Sequence, residues 1–282
     1  MKMSSIQGLS KISSRVSGFA PRCSNPNCQK NTFRLVAWRQ ENVFIGEQWH
    51  CSQECLEAGA REHIAALLGS RGKNQPARAA RMPLGLLLIS RESITSAQLK
   101  HALTEQSEHG GNIGEIVQRL GFATEEQVTS AVAAQWGCPT FNMNGYRLPP
   151  NIHIPRPLMD GYRILPLHCA EAQGRLLVGF VDAIHHQLLY AIENISSLSV
   201  TACFITPSSF AEALQAMTRT FRQNELVFER KISIPEMAAA CRNYVAQSGA
   251  ERIRFGICRD YLWARVFGSA QELDLLFRLP EN

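Results

Sequence analysis

Apolar positions change period several times along the chain, and each change marks an element. Phe33, Leu35 and Ala37 alternate as strand residues do, and so do Val43 and Ile45. From Ser52 to Ile64 the period lengthens to that of a helix. Between Pro83 and about Gln135 the pattern is helical throughout, and from about Ile164 to Met217 short apolar strands alternate with amphipathic helices. The stretch 225–282 predicts a strand at Glu225–Ser233, a helix at Pro235–Val245 ended by Ser248 and Gly249, then a three-stranded meander. In its strand at Arg252–Cys258, Ile253, Phe255 and Ile257 share one face and Arg252 and Arg254 the other. Arg259 and Arg265 are expected to extend that polar, solvated face. As an RNA platform it has only Tyr261 and Trp263 to stack on.

These segments predict an α+β, multi-domain chain of 282 residues. Residues 1–20 read as a disordered tail, 21–68 as a small cysteine-bearing module and 69–82 as a basic linker. Residues 83–220 carry a tandem helix–turn–helix repeat (83–106 and 112–135) and a small α/β part at 160–220. A βαβββ unit, 225–282, ends the chain. The net charge of +5 is uneven: residues 1–82 hold 12 Lys/Arg against 5 Asp/Glu. That front admits nucleic acid or an acidic partner, although a solvated tail and linker explain it as well. No apolar run reaches the roughly 18 residues a membrane span requires, so no membrane insertion is expected. Of nine cysteines, Cys138, Cys169, Cys203, Cys241 and Cys258 sit singly in apolar segments as small hydrophobes. That usage fits a reducing, cytoplasmic setting.

The other four are two close pairs, Cys23 with Cys28 and Cys51 with Cys55, joined by a hairpin and followed by a helix. This spacing suits a tetrahedral structural zinc ion, each pair on one turn and the hairpin bringing the turns together. His50 and His63 are substitute ligands beside a set that four thiolates already fill. Phe44 to Cys55 resembles zinc-ribbon and treble-clef modules, in which a short hairpin ends in an aromatic residue, a Cys-Ser-x-x-Cys run and a helix.

Displacing the sequence by 29 residues superimposes Leu84-Gly85 on Ile113-Gly114, Leu88 on Val117, Thr95 on Thr124 and Gln98 on Gln127. Leu99, Ala102, Leu103 and Gln106 fall on Val128, Ala131, Val132 and Gln135. Thr95 with Gln98 and Thr124 with Gln127 form capping boxes, and the apolar positions behind them make one buried face per helix. This block, with Trp136 to Pro139, Ile164 to Leu167 and Arg175 to Asp182, resembles the N-terminal domain of type II secretion and type IV pilus assembly ATPases. The resemblance spans about 83–220 and implies a domain that contacts other assembly components. Some members bind cyclic di-GMP through such tandem motifs. By position the implied contacts are Leu84, Gly85, Leu88 and Gln106, then Ile113, Gly114, Val117 and Gln135. Pro83 and Asn112 stand where those members place arginine, and Glu92 replaces a turn glycine that the second unit keeps as Gly121.

No G-x-x-x-x-G-K-[ST] run occurs, so ATP hydrolysis of that family's type is not expected. Asp182 reads as a turn residue, and His185 and His186, adjacent in a helix, point apart. The sequence therefore predicts a non-catalytic scaffold or regulatory adaptor holding structural zinc and contacting protein partners. A cyclic di-GMP receptor is the first alternative, and a zinc-dependent regulator associated with nucleic acid the second.

Overall fold

The computed structural model describes residues 22–28, 43–71, 81–144, 153–220, 224–269 and 271–280. The expected tail, the strand at Phe33 to Ala37 and most of the basic linker lie outside the described residues. The chain forms two compact units, one of Met1–Ser70 with Leu226–Phe255 and Asp260–Asn282, the other of Arg71–Glu225 with Gly256–Arg259.

The first unit begins with a hairpin, β1 (Val43–Ile45) antiparallel to β2 (Gln48–His50). Its turn sets Gly46 at φ 59°, where a missing Cβ removes the steric penalty. Helix α1 (Gln53–Ser70) buries Leu56, Ala60 and Ile64, one residue per turn on a single stripe.

Four helices open the second unit: α2 (Leu84–Ser90), α3 (Ser96–His109), α4 (Ile113–Arg119) and α5 (Glu125–Trp136). Both capping boxes form, Thr95 with Gln98 and Thr124 with Gln127. The helices pack crosswise, α2 on α5 and α3 on α4, around Leu88, Ile94, Leu99, Val117, Val128 and Ala131. Then come α6 (Arg156–Tyr162), β3 (Ile164–Ala170), β4 (Arg175–Phe180), α7 (His186–Ser196), β5 (Ser199–Phe204) and α8 (Pro207–Thr220). The three strands lie in the order β3-β4-β5, the first pair antiparallel and the second parallel across α7. The register slips between Pro166 and His168, beside a proline that has no N–H to give the ladder. Glu125 ties the helical and α/β parts by accepting from the N–H and the hydroxyl of Ser208, at 2.7 and 2.5 Å.

The chain then returns to the first unit with β6 (Glu225–Phe228), α9 (Ile234–Ser248), β7 (Arg252–Ile257), β8 (Tyr261–Phe267) and β9 (Glu272–Arg278). These four strands continue the hairpin's own sheet, which runs β2-β1-β7-β8-β9-β6. Strand β1 lies parallel to β7, with Phe44 opposite Arg252 and Ile45 opposite Ile253. The Phe44 and Gly46 amides donate to Glu251 and Ile253 carbonyls at 2.9 Å each. Segments that local periodicity treats as separate modules thus share a sheet, and α1 packs on α9 with Arg242 and Glu57 paired at 2.6 Å.

Two expectations for the C-terminal face are corrected. Arg265 is 5 % exposed and Trp263 1 %, so neither contributes to a solvated basic surface. Their cross-strand neighbour explains this. Asp274 sits opposite Arg265, accepts from its Nε at 2.8 Å and Nη2 at 2.9 Å, and accepts from Trp263 Nε1 at 2.6 Å. Arg252 and Arg254 do share a face, but each lies against an aromatic ring, Phe44 and Phe267, and each pairs with Glu47.

Candidate functional site

The cysteine pairs meet. Asn25 to Cys28 forms a tight turn closed by the Cys28 amide on the Asn25 carbonyl at 3.1 Å, while Cys51 leaves β2 and Cys55 stands in the first turn of α1. The sulfurs of Cys23, Cys28, Cys51 and Cys55 all lie within 4.8 Å of one another, and all four are free thiols. Cys28 and Cys51 are 3.4 Å apart, Cys51 and Cys55 3.8 Å. A tetrahedral zinc ion with bonds of about 2.3 Å needs sulfur–sulfur edges of roughly 3.8 Å, so the donor set fits the ion in chemistry and size.

The thiols are not equivalent. Burial pushes Cys23 above the ordinary value, and burial with three neighbouring thiols pushes Cys51 further up. Burial also works against Cys55, but its hydrogen bonds with Asn25, Ser52, Cys28 and Cys23 together outweigh it and set that thiol below the ordinary value. The Asn25 amide donates to Cys55 Sγ at 3.3 Å, while its oxygen is held by the Asn27 N–H at 3.0 Å. Asn25 therefore presents a donor to the sulfur, a support the spacing of cysteines does not announce. Neither histidine joins the cluster. His50, 1 % exposed, bonds the Gln48 carbonyl through Nδ1 at 3.1 Å and lies against Gly59 of α1. His63 packs against the Phe255 ring at 5.3 Å.

In the repeat, the eight implied contact positions are placed symmetrically. Gly85, Leu88, Gly114 and Val117 are buried. A Cβ on Gly85 would come 2.5 Å from Leu99, and one on Gly114 3.0 Å from Val128, which is the residue matching Leu99 in the second unit. Both glycines thus admit close helix contact. Gln106 donates to the Gly111 carbonyl at 2.8 Å, and Gln135 to the Met82 carbonyl at 2.7 Å. Each glutamine closes onto the residue two before the Ile113 or Leu84 of the other unit, so the two units lock reciprocally. Leu84 and Ile113 are half-buried at the helix starts, where Pro83 and Asn112 supply no side-chain cap. Arg81, the nearest arginine to the first motif, lies over the Trp136 ring at 3.2 Å.

Residues 136–224 match the MshEN domain. The match begins where α5 ends, so it takes in the α/β part and leaves the tandem repeat ahead of it. The type IV pilus assembly ATPase PilB of Thermus thermophilus is 24 % identical over 133 residues, covering 46 % of this chain and 15 % of that protein. PilB of Myxococcus xanthus is 25 % identical over 118 residues, covering 41 % of this chain and 20 % of that protein. The chain thus spans no more than a fifth of the length of these relatives. Among solved structures, MshE with cdg is 20 % identical and covers 48 % of this chain and 99 % of that one at a TM-score of 0.41. The N-terminal domain of XpsE is 17 % identical and covers 50 % and 97 % at 0.39.

Among the remaining polar candidates, Asp182 pairs with Arg163 at 3.0 Å, and His185 and His186 sit by Tyr162 and Trp136 respectively. Of the single cysteines, Cys203, Cys241 and Cys258 are buried, with Cys203 pushed up to about 12 by burial, while Cys138 and Cys169 are half-buried. Among the described residues, no helix is long and apolar enough to cross a membrane.

Proposed function

We propose that this chain is a non-catalytic adaptor whose second unit contacts components of a type IV pilus or type II secretion assembly, while its first unit holds a structural zinc ion. The carrying observation is the match of residues 136–224 to the MshEN domain. The relatives named above, pilus assembly ATPases, direct the reading to that class of partner. Support for an interaction role over a ligand role comes from the repeat, where both motif glycines are used in helix packing and both glutamines in locking the units. The metal half rests on the four clustered sulfurs. Crosslinking the tagged full chain in its native cells should recover a pilus or secretion assembly component. Recovery of none while the chain is folded and abundant would overturn the adaptor reading.

A cyclic di-GMP receptor is the second reading, favoured by the paired, uncapped starts of α2 and α4 that carry Leu84-Gly85 and Ile113-Gly114. Calorimetric titration of cyclic di-GMP into the full chain separates the two. Micromolar binding would make the chain a second-messenger sensor, and the absence of heat and thermal shift would leave the adaptor. A regulator bound to nucleic acid would show salt-dependent retention on DNA or RNA that deletion of residues 1–82 abolishes.

A further inference from the structure

The first unit is assembled from pieces that are small or distant in sequence. Strands β1 and β2 have three residues each, too few to hold a hairpin together in water by themselves. Strand β7, the parallel neighbour of β1, offers two register pairs, Phe44 with Arg252 and Ile45 with Ile253. Helix α1 must seal this arrangement on one side, burying Leu56, Ala60 and Ile64, and must also serve as the packing partner of α9. Its first turn carries Cys55, and Cys51 directly follows the hairpin. Helix α1 therefore carries one cluster cysteine and β2 ends one residue before another, while β1 is tied to them through its pairing with β2.

We propose that zinc on Cys23, Cys28, Cys51 and Cys55 determines the folding of the whole first unit, with α9 and β7 as dependent on the ion as the cysteine-bearing hairpin. The inference rests on the zinc reading above and extends it to a segment that begins almost two hundred residues away. The free energy of a structural zinc site is comparable to the whole stability of a small domain, so losing the ion is enough to release what the ion positions. Without it the hairpin and the start of α1 have no common anchor. Release of α1 removes the helix that α9 packs on, the Glu57 partner of Arg242 and the His63 ring beside Phe255 of β7. Release of β1 turns β7 into an open sheet edge. The repeat has its own core and caps, and none of them includes a residue of the cysteine module.

The test uses the purified full chain under reducing conditions, with metal content measured by mass spectrometry. Amide hydrogen exchange is followed before chelation, after chelation and after zinc is returned. One zinc per chain is expected. Its removal should speed exchange at least about tenfold in α1, β1, α9 and β7, with α3 and α5 unchanged, and zinc return should restore protection. One zinc released with α9 and β7 unchanged would overturn the inference and leave the zinc reading standing. No bound metal in a chain whose four thiols are all titratable would overturn the zinc reading, and the inference with it. Loss of protection throughout α3 and α5 as well would refute the restriction to the first unit.

Discussion

Glu92→Gly should make the second unit more stable, although it removes a side chain and adds nothing. Glu92 follows α2 at φ 57°, in the left-handed region that costs a residue with a Cβ roughly 1–2 kcal/mol. The turn cannot relax without losing its bonds: the Glu92 amide donates to Ile89 at 2.8 Å and the Ser93 amide to Leu88 at 2.9 Å. Twenty-nine residues on, Gly121 and Phe122 make the same two bonds to Gln118 and Val117, and Gly121 sits at φ 68°. The second repeat therefore shows the first one's turn with the residue the conformation favours. Glycine gives back about 0.5–1 kcal/mol through its freer unfolded chain, leaving a net gain of about 0.5–1 kcal/mol. That corresponds to a rise of roughly 1–4 °C in the thermal midpoint for a unit of this size. The mirror variant, Gly121→Ala, should lose stability for backbone reasons alone, because nothing lies within 4 Å of where its Cβ would be. Urea denaturation of the full chain, followed by a probe in the repeat, measures both. A lower midpoint for Glu92→Gly, or a higher one for Gly121→Ala, would refute the argument that conformation sets the preference at this turn.

Four further outcomes follow from packing and charge. Gly59→Ala puts a Cβ 2.2 Å from His50 Nε2, on a ring that is buried and held by Gln48, and should cost about 1–3 kcal/mol in denaturation; a stabilised variant would contradict the contact. Asp274→Ala leaves buried Arg265 with Glu272 at 3.3 Å and strands Trp263 Nε1, for a loss of about 3 kcal/mol, the low end for a broken buried pair, that Arg265→Met in the same chain should largely recover. If the single variant proves neutral, the buried pair is not what organises this strand face. Asn25→Asp exchanges a donor to the Cys55 sulfur for a carboxylate, and competition with a zinc chelator should find the affinity down about 10–100-fold, an equal affinity ruling out the supporting role. Burial holds His63 below its ordinary value of 6.5, so the unfolded chain takes up the proton first. Its contribution is complete above pH 6.5 and declines as pH falls through the folded value; His63→Gln should flatten that acid-side decline in the urea midpoint, and an unchanged slope would dismiss it.

What was legible in the sequence was local. Capping boxes at Thr95 and Thr124 depend on two residues three apart, and the 29-residue spacing is reproduced in the starts of all four repeat helices. The cysteine pairs are local too: close spacing sets each pair on one turn, and the four sulfurs meet. Long-range partners were not legible. Nothing near Phe44 specifies Arg252 as its neighbour, and nothing near Arg265 shows that Asp274 will lie opposite and draw it out of solvent. A strand's alternation assigns faces but not what covers them, so a row of arginines reads as a surface. Asn25 escapes for a related reason: a residue that donates to a clustered thiol has no spacing rule of its own.

The repeat shows how one set of residues can satisfy two readings in sequence, of which packing makes one visible. A glycine that lets a ligand approach and a glycine that lets a helix approach leave the same letter. Here the approaching group is identified, since Leu99 fills the space beside Gly85 and its counterpart Val128 the space beside Gly114. A bulky replacement at either glycine would thus disrupt α2 against α3, or α4 against α5, whether or not a nucleotide binds. Loss of binding in such a variant would not identify a contact residue. The informative comparison is the unaltered chain against ligand, because its glutamines already hold the Gly111 and Met82 carbonyls. A ligand that needed those side chains would have to open the lock between the units, and its binding would then appear as faster amide exchange at the starts of α2 and α4.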